Sequence, residues 1–180
     1  APVIKSGALI ILESTSPVGT TEIVLEWLSL LRPDLKFPVT SETKPNIFMS
    51  YSPERVLPGK IVSELVSNDR IIGGVNEQSS QMTIDLYKAF HRGSCHVTDA
   101  RTAEMVKLAE NASRDAQIAY VNELSMICND LKIDVQEVIK LANYHPRVNL
   151  LTPGVGVGGH CIAVDPWFIV NQNPEEARII

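Results

Sequence analysis

Short apolar runs alternate with helical spacing through the first hundred positions of the chain. Ala8-Leu-Ile-Ile-Leu12 reads as a strand over 8–13, and a helix follows over about 18–31, where apolar positions return every three or four residues. Further apolar runs place strands at 47–51, 70–73 and 95–98, with a second helix over about 77–91. Strands alternating with helices imply a parallel sheet with helices packed on it. The pattern then changes. Asp99 and Thr102 introduce an unbroken helical stretch from Ala103 to Leu131, and Asp134 is placed to cap a further helix reaching Asn143. The fold class is α/β followed by all-α, dividing into 1–100 and 101–180. A Pro/Gly-rich passage from Pro146 to Gly159 then leads into Cys161 and Asp165-Pro166-Trp167.

Composition narrows the classes. With 44% apolar and 21% charged residues over 180 positions, the chain is globular, and disorder or low-complexity linker is excluded. A net charge of −5 and the lack of any basic run longer than two residues remove the electrostatic footprint of a nucleic-acid binder. The longest strictly apolar run, Ala8 to Leu12, is far short of the ~20 residues that span a bilayer, and no basic leader precedes it, so a soluble protein without membrane or export is expected. Cys95, Cys128 and Cys161 are too few for a disulfide framework and lack metal-ligand spacing, which implies a reducing, cytoplasmic setting and no metal. The chain opens without Met and stops inside a helical pattern, so both ends look cut.

Four features carry candidate chemistry. Gly154-x-Gly156-x-x-Gly159 matches a dinucleotide fingerprint in form only. That motif needs a strand before the glycines and a helix after them, whereas Pro153 precedes these and Asp165-Pro166 follows closely. Gly156, Gly158 and Gly159 instead permit positive φ or close backbone approach beside Cys161. Cys161 differs from Cys95 and Cys128, which fit buried inert thiols. It follows this glycine run and lies four residues before Asp165, where a sulfur can reach a substrate carbonyl. His160 is its neighbour in sequence, and adjacent residues seldom meet as partners. On the long helix, Lys107, Asn111 and Arg114 lie within about 60° of one another at about 100° per residue, with Asn122 near the same line. Such a stripe is either a solvated face or an enclosed polar row that wants an anionic ligand. Finally, Glu13-Ser-Thr-Ser-Pro-Val-Gly19 and Tyr51-Ser-Pro-Glu-Arg55 each leave a strand, where α/β sheets bind ligands, although Ser14 and Thr15 could equally cap the next helix.

In order along the chain stand Glu13-Ser-Thr-x-Pro-Val-Gly19, Ser52-Pro-Glu54, Ala103-Glu-x-x-Lys107-x-x-x-Asn111, Asn122-Glu123, and Gly158-Gly-His-Cys161-Ile-x-x-Asp165-Pro166. Together they resemble the UDP-sugar 6-dehydrogenases, an NAD-dependent family that includes UDP-glucose and UDP-N-acetylmannosamine dehydrogenases, and the resemblance spans essentially the whole chain. Within the family the mannosamine branch is the nearer, because UDP-glucose enzymes commonly carry Glu where this chain has Pro58 and Lys where it has Val164.

The resemblance implies the second half of a Rossmann-like domain, a long connecting helix and a helical central domain that forms a homodimer. The fingerprint units would precede Ala1, and a UDP-binding domain would follow Ile180. It implies oxidation of a UDP-sugar C6 alcohol to a carboxylate with two NAD, Cys161 capturing the aldehyde. Lys107, Asn111 and Asp165 would move protons and stabilise the developing alkoxide. Thr15 and Glu54 would meet the nicotinamide end of NAD. Arg55, Val56, Arg114, His145, Arg147 and Gly158, with Lys107 and Asn111, would hold the nucleotide sugar. Another UDP-sugar (UDP-GlcNAc or UDP-glucose), or a non-catalytic dimerisation module of the same fold, is the alternative. The chain alone is expected to bind NAD poorly and turn over slowly or not at all.

Overall fold

The computed structural model of the chain describes residues 1–38, 44–57, 59–157, 159 and 161–180. They form two compact units, Ala1–Lys107 and Leu108–Ile180.

The first unit runs β1 (Leu9–Leu12), α1 (Thr20–Leu31), β2 (Phe48–Tyr51), α2 (Ile61–Ser67), β3 (Arg70–Gly74), α3 (Glu77–Tyr87) and β4 (Cys95–Asp99), and ends in the first turns of α4 (Ala100–Asp130). The four strands lie in the order β1-β2-β3-β4. β1 pairs parallel with β2, from Leu9 opposite Phe48 to Leu12 opposite Tyr51, and β3 pairs parallel with β4. β2 and β3 run antiparallel, with Ser50 opposite Gly74 and Tyr51 opposite Gly73. The wholly parallel sheet expected from the alternation is therefore corrected to a mixed one, parallel in two of its three pairings.

The reason lies in residues 52–69. A parallel crossover needs a helix that covers a sheet face, but α2 buries none of its residues and exposes Ile61 and Val62. The chain instead re-enters the sheet at the end where β2 left it. Arg70 thus starts β3 beyond the carboxyl end of β2, and the segment after Tyr51 stays at that end.

Two clusters hold the sheet. Leu25 of α1, Phe37, Ile47 and Met49 pack on Ile10, Leu12, Val24 and Leu28. Tyr51 packs with Ala100 and Ala103 of α4 against Leu12 and Ile71. On the α3 side small polar residues close the gap: the Met49 N–H donates to Ser79 Oγ at 3.1 Å, and Ser50 Oγ lies 2.7 Å from Thr83 Oγ1. β4 continues straight into α4, whose first turn is capped by Asp99. Thr102 donates its N–H and hydroxyl to that carboxylate at 2.9 and 2.6 Å, and these bonds hold the Asp99 carboxyl below the usual range.

The second unit holds the rest of α4 with α5 (Val135–Ala142), α6 (Cys161–Val164) and α7 (Pro166–Gln172). Leu108, Ala112, Val121 and Cys128 are buried along α4, and Ile139 is buried on α5. α4 stops where Lys132 adopts φ 59° and the Ile133 N–H reaches back to Cys128 O at 2.8 Å, the Schellman closure of a helix end. Asp134 caps α5 as expected, accepting from the Gln136 N–H at 2.9 Å. No helix among the described residues is long and apolar enough to cross a membrane.

Gly73 brings the sheet close against the start of α4. A Cβ there would lie 2.6 Å from Asp99 O and 2.7 Å from Ala103 Cβ. Backbone cannot yield as a flexible side chain does, so Gly73→Ala should cost about 1–3 kcal/mol of unfolding free energy. Urea denaturation of the two proteins measures it.

Candidate active site

In the first unit, the site-bearing loops follow the carboxyl ends of the parallel pair β1 and β2. Their ladder continues past the strands: the Ser52 N–H donates to Leu12 O at 2.8 Å, and the Glu54 N–H to Glu13 O at 3.2 Å. Thr15 and Glu54, expected on separate motifs, are thereby brought onto neighbouring loops, both half-buried. Lys107 Nζ donates to Glu54 O at 2.8 Å, so the lysine belongs to the same cluster. The Glu54 carboxylate accepts the Arg55 N–H at 2.6 Å. Arg55 is half-buried and donates to Asp69 O at 3.1 Å, with Val56 half-buried beside it. Asp69 in turn lies 3.0 Å from His96 Nε2, and this bond holds its carboxyl low.

Three residues that the motif reading left without a role organise this end of the sheet. Glu104 is fully buried on α4. Its Oε2 accepts the Gly19 N–H at 2.6 Å, and its Oε1 accepts the Thr21 N–H at 2.8 Å and the Thr21 hydroxyl at 2.7 Å. Gly19, the N-cap of α1 with φ 94°, has no side-chain cap of its own, so a carboxylate from another helix caps α1. Tyr87 donates its phenol to Glu13 Oε1 at 2.8 Å. Burial pushes this phenol up to about 12, so it remains a protonated donor at neutral pH. Beneath its ring lies the buried Arg70 guanidinium, 4.2 Å from the centroid. The sequence signal for Glu104 was its place in Ala103-Glu-x-x-Lys107; Tyr87 and Arg70 carried none.

These groups bear on how NAD would fit. A helix N-terminus after a Rossmann strand usually attracts phosphate; here the Glu104 carboxylate already occupies it. The edge formed by Thr15 and Glu54 therefore does not suit the pyrophosphate of a dinucleotide, whereas a nicotinamide ring, a cation in its oxidised form, would meet no such conflict there.

In the second unit, Asn111 and Asp165 are brought together. Both are buried, and Asn111 Nδ2 donates to Asp165 Oδ2 at 2.5 Å. Asp165 stands before Pro166, which opens α7 in the position where proline is preferred. Its carboxylate makes no cap to that helix; Asn111 takes it instead. Cys161 begins α6 one turn earlier, the Asp165 N–H donating to Cys161 O at 2.9 Å. The Cys161 thiol is exposed, Cys95 half-buried and Cys128 buried. Before it, Gly156 and Gly159 take φ 137° and 83°, the left-handed backbone for which glycines were expected there. The formal fingerprint has no strand before it, since 151–154 are irregular. Asn122, placed on the polar stripe, accepts the Gly154 N–H at 2.9 Å and so tethers this passage. Arg114, His145 and Arg147 are exposed, and the Arg147 N–H donates to His145 Nδ1 at 3.3 Å. The structure does not join these three to the Asn111–Asp165 pair. Gly158, Pro58 and His160 lie outside the described residues.

Residues 1–91 match the model of the UDP-glucose/GDP-mannose dehydrogenase family, NAD binding domain, and residues 101–179 match that family's central domain. The chain belongs to the UDP-glucose/GDP-mannose dehydrogenase family. It is 60% identical over all 180 residues to the UDP-N-acetyl-D-mannosamine dehydrogenase of Escherichia coli K12, and equally 60% identical to the NDP-N-acetyl-D-galactosaminuronic acid dehydrogenase of Ralstonia nicotianae. The chain spans 43% of the length of each of these two family members. Its structure matches that of the UDP-D-ManNAc dehydrogenase from Pyrococcus horikoshii with a TM-score of 0.89 at 43% identity, covering 99% of this chain and 42% of that one.

The thiols should differ in reactivity. Cys161 is exposed, burial raises the Cys95 thiol, and Cys128 is sealed in the core. Iodoacetamide near neutral pH should label Cys161 first, Cys95 more slowly and Cys128 last, as mass spectrometry of timed digests would record.

Proposed function

We propose that this chain is part of an NAD-dependent UDP-sugar 6-dehydrogenase that oxidises the C6 alcohol of UDP-N-acetyl-D-mannosamine to the carboxylate. The observation that carries the reading is the exposed Cys161 thiol at the head of a helical turn that ends on the buried, Asn111-bound Asp165. NAD supplies the hydride acceptor in both oxidations. The Cys161 sulfur bonds to the aldehyde carbon, and a proton ends on the former carbonyl oxygen, giving a thiohemiacetal. Once that carbon is oxidised it is a thioester. Water adds to it, the C–S bond breaks, and the carboxylate leaves with the thiol restored. Lys107 in the first unit, and Asn111 with Asp165 in the second, hold and move protons and stabilise the alkoxide. Thr15 and Glu54 meet the nicotinamide. Arg55, Val56, Arg114, His145, Arg147 and Gly158 hold the anionic nucleotide sugar, guanidinium groups suiting phosphate oxygens.

Identity alone does not choose the sugar, because the mannosamine and galactosaminuronate relatives stand at the same 60%. Both names specify an N-acetylated sugar, which agrees with Val164 and Pro58 standing where glucose enzymes commonly carry Lys and Glu. Residues 1–100 are read as the later part of the NAD-binding domain, and 101–180 as the connecting helix and central domain. A homodimer through α4 is supported by Tyr120 and Ile127, exposed at i and i+7 along one line of the helix, and by Leu131, exposed directly after its end.

Two tests follow from this reading. In an enzyme preparation carrying the whole of this sequence, Cys161→Ser should abolish acid formation from UDP-N-acetyl-D-mannosamine, followed as the uronate itself because the first oxidation alone already yields NADH; unchanged acid formation dismisses the covalent route, and a preference for UDP-glucose dismisses the sugar. Replacing Ile127 by Asp and Leu131 by Lys together should convert a dimer to monomer in light scattering; an unchanged mass places any interface elsewhere.

A further inference from the structure

Thr15, Glu54 and Lys107 sit on one closed circuit of bonds. From Glu104 it passes through the Gly19 N–H at 2.6 Å into the 13–19 loop. It crosses from Glu13 O to the Glu54 N–H at 3.2 Å, and from Glu54 O to Lys107 Nζ at 2.8 Å. It returns along one turn of α4 to Glu104. Every other link is a backbone group or the lysine itself, so Glu104 is the one side chain that closes the circuit without belonging to the proposed chemistry. We infer that Glu104 is a positioning residue: by binding the start of α1 it fixes the turn of α4 that carries Lys107 against the loops that carry Thr15 and Glu54. This inference rests on the function proposed above.

The chemistry of the link is specific to a carboxylate. Both oxygens accept, three donors converge on them, and the carboxylate is fully buried. In Glu104→Gln the amide oxygen can still serve Thr21, but the amide NH2 then faces the Gly19 N–H, donor against donor. The circuit opens at that point. Arg101, one turn earlier on α4, also joins α1 through an exposed ion pair with Glu22 at 2.9 Å. That contact lies outside the circuit and serves as the control, because exposed pairs contribute little.

Amide hydrogen exchange separates a local cap from a positioning role. A cap alone protects residues 19–23. A closed circuit also protects 54–56, which Glu104 does not touch. In Glu104→Gln, exchange should accelerate about 5-fold or more in both segments, while Arg101→Ala changes neither. In an active preparation carrying this sequence, kcat should fall about 10-fold in Glu104→Gln, with KM for the UDP-sugar held within about 2-fold, because geometry and not substrate contact is lost. Should Glu104→Gln not fold, Thr21→Val removes one of the three donors at constant shape and should show the same two-segment acceleration in smaller measure. Acceleration confined to 19–23, in whichever variant folds, overturns the inference, as does kcat unchanged from the parent. Failure of the proposed function shows itself differently: the unsubstituted protein would oxidise no UDP-sugar while the coupled exchange persisted.

Discussion

A buried carboxylate on the first turns of α4 decides how the carboxyl end of the sheet is arranged. Taking Glu104 out of water costs several kcal/mol. Three hydrogen bonds to a charged acceptor return roughly 1.5–3 kcal/mol each, and the N-terminus of α1 adds a favourable dipole. The two sides nearly cancel, so the net gain in stability is small. What the arrangement secures is geometry, because both oxygens are satisfied at once by donors at the start of α1. Gly73 sets the depth of the same helix, for Ala100 and Ala103 rest directly on its backbone. With depth set by the glycine and register by the glutamate, Lys107 reaches the carbonyl of Glu54.

The strands, the first three long helices and their order were legible because each depends on a local signal. Apolar runs of strand length, Asp99 before Thr102 and Asp134 before an amphipathic helix all act within a few residues of where they stand. The direction of β3 was not legible, since it depends on whether the intervening helix covers the sheet, and Ile61 and Val62 look like core residues in sequence although they are exposed. The helices after Gly159 carried a readable signal in Asp165-Pro166 that the surrounding glycines obscured. Glu104 shows the limit most clearly. An acidic residue on a helix is ordinarily solvated, and its donors lie 83 and 85 positions away, where no periodicity connects them.

Candidate chemistry followed the same division. Cys161 stood out because glycines and an Asp-Pro step surround it, and its thiol is the exposed one of the three. Asn111 and Asp165 were legible as residues but not as a pair, because their meeting depends on how α7 docks on α4. Arg114, His145 and Arg147 were chosen by charge, and all three are exposed in the second unit. Charge on a surface identifies what could bind an anion, not where the anion lies.

Lys107 and Cys161 are held differently. Lys107 is tied to Glu54, which in turn is tied to Glu13, and this suits the proposed role in proton transfer, which works only within hydrogen-bond reach of a partner. A nucleophile that must first meet a carbonyl carbon and later admit water to the same carbon needs open space on one side. Cys161 has that space. Among the described residues, no backbone hydrogen bond joins 151–157 to the rest of the unit, and the Gly154 N–H donates to the Asn122 side chain. Directly after the sulfur the constraint returns, as one helical turn leads to the buried Asp165. Exposure at Cys161 with anchorage at Asp165 thus suits the proposed role, in which the sulfur forms and then releases a covalent bond.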